Sequence, residues 1–409
     1  MVSSQAEWIG RARNELRRNR LTASLAFASQ GLLFAVLLTH VPQFKSRYSL
    51  GDGAITLVIL GVSILAGAGS ATAESLARRI SSRLTLQFGL LTISLAALAI
   101  AAAPDVLIFF IAFAVYGFGL GAVDASTNMQ AVAIQTRYGW TILTSFHACW
   151  SAGGILGALY VAGTERLGWS LATSIAFPAA AVVVFAAASG TGLLRADRDT
   201  RLLRADQSLL RADQETASAP VEISVPWRPV LLLGAAMICF YVTDAGAGSW
   251  ATTYAHDVLN ASSSLAPVAY AAYQVTALLS RIAGDHVVRR IGVQTAVRIG
   301  AAIGAGGLVL AIAAPGPWAA IIGFAIAGIG LPIVAPLCFS ACGALAPGHA
   351  DQIVARVNIF NYAGSIIGGV AIGGIGTISS LRWGFVVPAV LALLLLVLAP
   401  AFTPEKITA

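Results

Sequence analysis

Charge is what this sequence has least of. Only 11% of its 409 residues are Asp, Glu, Lys or Arg, where a soluble domain carries about a quarter. Lysine is nearly absent, with Lys45 and Lys406 alone. A nucleotide-driven pump needs a lysine in a Gly-rich phosphate loop, and neither lysine sits in one. Cysteine is scarce too: Cys149, Cys239, Cys338 and Cys342 all fall inside apolar runs and read as small buried hydrophobes, which excludes a disulfide scaffold. No His-Glu-x-x-His or Cys-x-x-Cys pair occurs. No metal, no cofactor and no enzymatic nucleophile–base pair is therefore expected.

What is present is apolar. Hydrophobic residues make up 57% of the chain and mean hydropathy is +0.81. No soluble core hides that much apolar surface, so the chain reads as an integral all-α membrane protein. A spanning helix needs about 20 mostly apolar residues, and twelve stretches qualify: 21–42, 53–73, 84–103, 105–127, 141–163, 168–190, 228–250, 264–284, 295–314, 317–341, 352–376 and 381–402. The first follows a basic stretch (Arg11 to Arg20) and is too long for a signal-peptide core. It is expected to stay in the protein.

The arginines set the orientation. Of 25 basic residues only Lys45, Arg47, Arg166 and Arg382 fall in alternate loops; the others lie in the termini or on the same side. Positive charge stays inside, so both termini are expected in the cytoplasm. The net charge of +7 is thus topology and not a nucleic-acid footprint. The domains expected are a cytoplasmic N-terminal segment (1–20), a six-helix bundle (21–190), a cytoplasmic linker (191–227), a second six-helix bundle (228–402) and a cytoplasmic tail (403–409). The linker repeats Leu-Arg-Ala-Asp at 194–197, 203–206 and 210–213 and reads as a short amphipathic helix on the membrane surface.

The two bundles match at an offset of 211 residues. Glu74, Arg78, Arg79 and Ile80 meet Asp285, Arg289, Arg290 and Ile291. Gly117 and Gly119 meet Gly328 and Gly330; Gly153, Gly157 and Gly163 meet Gly364, Gly368 and Gly374. Three coincidences at one offset argue for duplication. Parallel six-span repeats with a site between them near the bilayer midplane are a transporter architecture. The acid-and-arginine loop, with Gly284 opening its second copy, resembles the signature of the major facilitator superfamily. That resemblance implies two pseudo-symmetric six-helix bundles, alternating access and a gating role for Glu74, Arg78, Gly284, Asp285, Arg289 and Arg290.

A finer resemblance lies in Val41-Pro42-Gln43-Phe44-Lys45 and Asp124-Ala125-Ser126-Thr127-Asn128. Both are similar to the fucose-permease branch of sugar–proton symporters. The segments around Asn128-Met129-Gln130 and Ser145-Phe146-His147 resemble its bacterial relatives of unassigned cargo. Asp124 then matches an acid that carries proton and sugar. That branch's other acid, in span one, has no counterpart, since Leu38 stands there with His40 nearby.

An ionisable side chain in mid-membrane costs several kcal/mol unless paired or hydrated. Asp124, His147 and Asp244 are the candidates for proton coupling. Asp124, about 19 residues into span four, reads as close to the cytoplasmic end, at a depth that permits contact with His147. Gln30, Asn128, His147, Trp150, Tyr241, Asp244, Tyr273, Gln274, Asn358, Asn361 and Tyr362 are candidate cargo contacts, as hydrogen-bonding or aromatic groups suited to a polar solute. A plain reading as interhelical glue is open to each of the uncharged ones. Asp285 is expected to accept N–H bonds at the start of span eleven, near Asp351 and Gln352, and to latch the inner side shut. The expected function is proton symport of a small polar solute, sugar-like in the branch it resembles, by a monomer in the bacterial inner membrane. The alternative is proton-driven efflux of an amphipathic compound. Exporters of that kind carry a Gly-Pro pair in span five, and Gly153-Gly154-Ile155-Leu156-Gly157 has the glycines without the proline.

Overall fold

The computed structural model describes residues 2–50, 52–194, 227–262, 265–345 and 350–403, with side chains described outside 2–13, 52–53 and 56. Residues 195–226, which hold all but the first residue of the Leu-Arg-Ala-Asp repeats, and the last six residues lie outside the described residues. Fifteen α-helices are described: α1 Val2–Thr39, α2 Val41–Tyr48, α3 Asp52–Arg79, α4 Ser82–Ala102, α5 Val106–Tyr138, α6 Leu143–Arg166, α7 Leu171–Ala188, α8 Trp227–Thr253, α9 Ala266–Ile291, α10 Val293–Ala313, α11 Pro317–Gly330, α12 Val334–Leu345, α13 Ala350–Ile378, α14 Leu381–Gly384 and α15 Val386–Leu398. Span ten is thus two helices, broken at Leu331–Ile333 around Pro332, and span twelve is α14 with α15. The short α2 follows span one on the face away from the N-terminus.

Hydrogen-bonding side chains start several helices by accepting orphan N–H groups. Ser81 accepts from Leu84, Asp105 from Ile108 and Ser170 from Thr173. Gly139 ends α5 at φ 73°, a left-handed turn that favours glycine. Helix α5 is 33 residues long, or about 50 Å at 1.5 Å per residue, and overruns the expected 105–127. Its extension carries Asn128 and Gln130, both fully buried; they are polar in sequence but face protein instead of lipid.

Among the described residues, ten helical stretches are long and apolar enough to cross a membrane by length and composition. Helices α6 and α9 fall short. The physical reason is their inward faces: Thr144, His147 and Ser151 on α6, Arg281 and Asp285 on α9, all buried. These two helices also pack on each other across the halves.

Within the first half α1 packs most extensively on α6, and in the second α8 on α13. The same glycines of the duplication make both contacts. A Cβ on Gly153 would strike the Ala28 backbone and one on Gly364 the Ile238 backbone; Gly157 and Gly368 likewise meet the carbonyls of Leu32 and Val242. Backbones that close are what small residues permit in lipid, where packing holds helices together.

The halves share an apolar core near the face that carries the start of α1 and the α3–α4 and α9–α10 loops, here called the terminus side. There Met129, Val132, Leu143 and Phe146 join Leu337, Phe339 and Val354 in one cluster. A separate cluster (Leu33, Leu37, Phe44, Phe109, Tyr116) fills the first half toward the opposite side. The halves therefore join at one end of the bundle.

Candidate functional site

Helix α5 places Asp124 at its nineteenth residue of 33, so about 21 Å of helix remains to the terminus side. Asp124 is central and not close to an end, which corrects the shorter span read from hydropathy. Its carboxylate accepts from Gln30 Nε2 at 3.3 Å on Oδ1, and from Asn361 Nδ2 at 3.0 Å and Tyr362 OH at 3.1 Å on Oδ2. Gln30 comes from α1 of the same half; Asn361 and Tyr362 come from α13 of the other. All three donors are neutral.

His147 reaches Asp124 through Asn128 and not directly. Asn128 Nδ2 donates to the Asp124 carbonyl at 2.8 Å, and its Oδ1 lies 3.2 Å from His147 Nε2. One helical turn separates Asp124 from Asn128, so the amide fills the space the imidazole would need. The His147 ring also stacks on Phe339 of the other half, with centroids 6.0 Å apart.

Asp244 sits inside α8, eighteenth of 27 residues. The helix continues unbroken past Gly246 and Gly248, so Asp244 is no helix-end residue. Tyr273 OH donates to its Oδ1 at 2.9 Å. Tyr241 packs against Gly364, and Trp150 lies 6.0 Å from Phe34, ring to ring. Asn358 donates to Ser70 Oγ at 3.1 Å across the halves. No hydrogen bond holds Gln274 among the described residues, and its side chain is half-buried.

Asp285 differs from expectation in its partner. Asp285 accepts from the backbone N–H of Thr144 at 3.1 Å and of Ser145 at 3.0 Å, at the start of α6 and not of α13. A carboxylate at a helix start meets free N–H groups and the positive end of the dipole. The exchange of helices follows from the pseudo-twofold: a loop of one half reaches the other half, so the second-half loop meets span five. The first-half loop obeys the same rule. Arg356 of α13 donates to Glu74 Oε1 at 3.2 Å, and Arg78 reaches the same oxygen at 2.8 Å. The offset of 211 relates Glu74 to Asp285 and Ser145 to Arg356, so the two contacts are one contact made twice. Gly284 fits tightly here, since a Cβ would lie 3.1 Å from Thr144 Oγ1 and 3.0 Å from Ile333 Cγ2. Arg289 donates to the Thr141 carbonyl at 2.9 Å, while Arg290 is exposed. Gln135 and Ser340 add another cross-half bond, at 2.6 Å.

The cross-half hydrogen bonds given above all lie between the level of Asp124 and the terminus side. The site is closed toward the terminus side.

A Major Facilitator Superfamily model matches residues 3–158 and 233–408. The chain belongs to that superfamily. An uncharacterized MFS-type transporter of Yersinia pestis is 28% identical over 386 residues, covering 93% of this chain and 94% of its own. Among solved structures, the transporter FucP in its outward conformation superposes with a TM-score of 0.72 at 14% identity, covering 95% of this chain and 99% of that one. The proton:xylose symporter XylE gives 0.72 at 13% identity, covering 96% and 97%. The structural likenesses show the major facilitator fold with its twelve spans, and membership of the superfamily makes the chain a transporter and not an enzyme.

Sequence reasoning on this facilitator missed Arg281. It lies in α9 one turn before Asp285, only 5% exposed, and donates to Ser151 Oγ of the other half at 2.6 Å. The signal that could have found it is spacing: Arg281, Gly284, Asp285 and Val288 form one i, i+3, i+4, i+7 face, and that face is buried. Arg356 was missed as well.

Proposed function

We propose that this chain moves a small polar solute by proton-coupled symport, its two six-helix halves (residues 21–190 and 228–402) rocking about a site centred on Asp124. One observation carries the reading: a mid-helix carboxylate held by neutral donors from both halves. An ionisable side chain placed this deep in a span is a candidate proton carrier by default. Once protonated, the carboxyl gives up part of its acceptor capacity and becomes a donor. The bonds from Asn361 and Tyr362 then weaken, and with them a cross-half tie. Proton binding and separation of the halves become one event.

The lining suits a hydroxylated cargo. Asp244 with Tyr273, the unbonded Gln274 amide, and Tyr241 and Trp150 offer acceptors, donors and ring faces. The fold neighbours include the E. coli fucose:proton symporter and the proton:xylose symporter, which supports this class. The arginine distribution favours the terminus side as cytoplasmic. The latched floor would then make this an outward-facing state, as FucP is in its outward conformation.

The test needs purified protein in liposomes and a cargo found by thermal-shift screening of sugars, amino acids and nucleosides, since a binder stabilises by mass action. Asp124→Asn is expected to abolish uphill accumulation driven by a proton gradient while sparing cargo exchange. Accumulation at the wild-type level would refute the role of Asp124.

A further inference from the structure

The second half holds a cation that proton coupling at Asp124 does not use. Arg281 is the sixteenth of 26 residues in α9, so about 15 Å of helix separates it from the terminus side. The longer helix moves it inward from the span end read from hydropathy, as it moves Asp124. A guanidinium keeps its proton in proteins, and a charge this deep is costly unless paired or hydrated. Arg281 is only 5% exposed. Among the described residues its one hydrogen bond is the donation to Ser151 Oγ at 2.6 Å, and its Nε is buried without a partner. Ser151 Oγ in turn donates to the His147 carbonyl at 3.2 Å, which holds the acceptor still and fixes one edge of the guanidinium.

The repeat shows which group would complete this arrangement. At the offset of 211, Arg281 corresponds to Ser70, Ser151 to Tyr362 and Ala335 to Asp124. In the first half Tyr362 reaches a carboxylate, that of Asp124, at 3.1 Å. In the second half Ser151 and Arg281 stand at the matching height, and the matching residue is a buried alanine. The cation therefore sits where the repeat supplies no acid of its own, and an oxyanion carried in by the cargo fills that place.

The neighbours select the oxyanion. Tyr241, Tyr273 and Asp244 lie within electrostatic reach of Arg281. Asp244 accepts from Tyr273 at 2.9 Å and forms no ion pair with the arginine among the described residues. A guanidinium fork matches carboxylate and phosphate alike. A phosphate dianion, however, would face the Asp244 carboxylate with a single cation to balance it. A carboxylate needs one cation only, and a hydroxyl beside it can donate to Asp244.

We propose that Arg281 holds the carboxylate of an acidic, hydroxylated cargo of the sugar-acid class, and that it selects such solutes over neutral sugars. This rests on the chain being a transporter of a small polar solute, and it names the class of that solute.

Matched pairs test it by thermal shift on the purified full chain: D-glucuronate with D-glucose, D-galacturonate with D-galactose, and D-glycerate with glycerol. At least one acid is expected to raise the melting temperature where its neutral partner does not. Arg281→Gln should weaken binding of that acid by roughly tenfold or more, since charge-assisted hydrogen bonds are lost. Arg281→Lys, which keeps the charge without the fork, should weaken it less. Ser151→Ala removes one hydroxyl, keeps the cation and should cost a few-fold, so it serves where Arg281→Gln does not fold. Equal stabilisation by acids and their neutral partners, no response to any of the three acids, or undiminished acid binding by Arg281→Gln would overturn the assignment. These readouts use binding alone, whereas Asp124→Asn tests proton coupling by uphill accumulation. A neutral sugar bound alike by the wild type and Arg281→Gln would remove the Arg281 site and leave proton symport standing. Accumulation of the acid unaffected by Asp124→Asn would do the reverse.

Discussion

Glu74 and Asp285 hold the same place in the two halves and make the corresponding contact differently. Glu74 pairs with a charged side chain, Arg356, which is 24% exposed and flexible. Asp285, 6% exposed, binds two backbone N–H groups fixed by a helix. A partly exposed ion pair is worth about 0–1 kcal/mol, because water screens it and two long side chains must be held still. Buried charge-assisted bonds to pre-placed donors are worth about 1.5–3 kcal/mol each. Duplication therefore does not mean equal halves. One contact is buried and strong, the other more exposed and weak.

That contrast can be broken by experiment. The largest effect is expected from Asp285→Asn, which removes the charge and leaves one N–H facing an amide donor. The floor should loosen by about 2 kcal/mol, or roughly thirtyfold in the exchange rate of the Thr144 and Ser145 amides by hydrogen–deuterium exchange mass spectrometry. Unchanged exchange there would show that the latch does not hold. Glu74→Gln should loosen α3 from α13 by about 0.5–1 kcal/mol, seen as a few-fold faster exchange at residues 70–80 with none at Thr144. A response as large as that of Asp285→Asn would erase the distinction between the two latches. Least is expected of Arg78→Gln. Arg78 is 46% exposed and bound to Glu74 one turn away, so the change should stay under about 0.5 kcal/mol. A larger loss would mean that Arg78, and not Arg356, carries the first-half contact.

A similar contrast separates the two acids inside the spans. Asp124 is tied across the halves by Asn361 and Tyr362, whereas Asp244 is tied within its own half by Tyr273. Only the first tie must break when the halves part, which is why the proton role is placed on Asp124. At the offset of 211, Tyr362 corresponds to Ser151, and Ser70 to Arg281. The second half thus faces Ser151 with a cation where the first half faces Asn358 with a hydroxyl.

Much of this was legible in the sequence. Twelve apolar runs, the one-sided arginines and the repeated glycines sufficed for the superfamily, because lipid demands long apolar helices and close backbones demand small residues. Asp124, His147 and Asp244 stood out as polar groups in apolar runs. Helices α6 and α9 were legible as spans even though the polar residues on their inward faces lower their average hydropathy. The gaps have one physical cause. Arg281 and Arg356 lie near span ends, where an arginine on the lipid side and one inside the bundle look alike in sequence. Only the packing tells them apart.

Composition, periodicity and the offset by themselves determined that the chain crosses a membrane, how many times, and that its halves are copies. Each follows from solvent: bilayer thickness and the cost of unpaired backbone act on every residue alike. Which groups meet was decided by the tertiary structure alone. The pseudo-twofold sends each loop to the opposite half, so Asp285 meets α6 instead of α13. It also sets Asn128 between Asp124 and His147. Contacts between residues more than a hundred positions apart depend on how helices are rotated against one another, and that rotation is fixed by packing across the whole bundle.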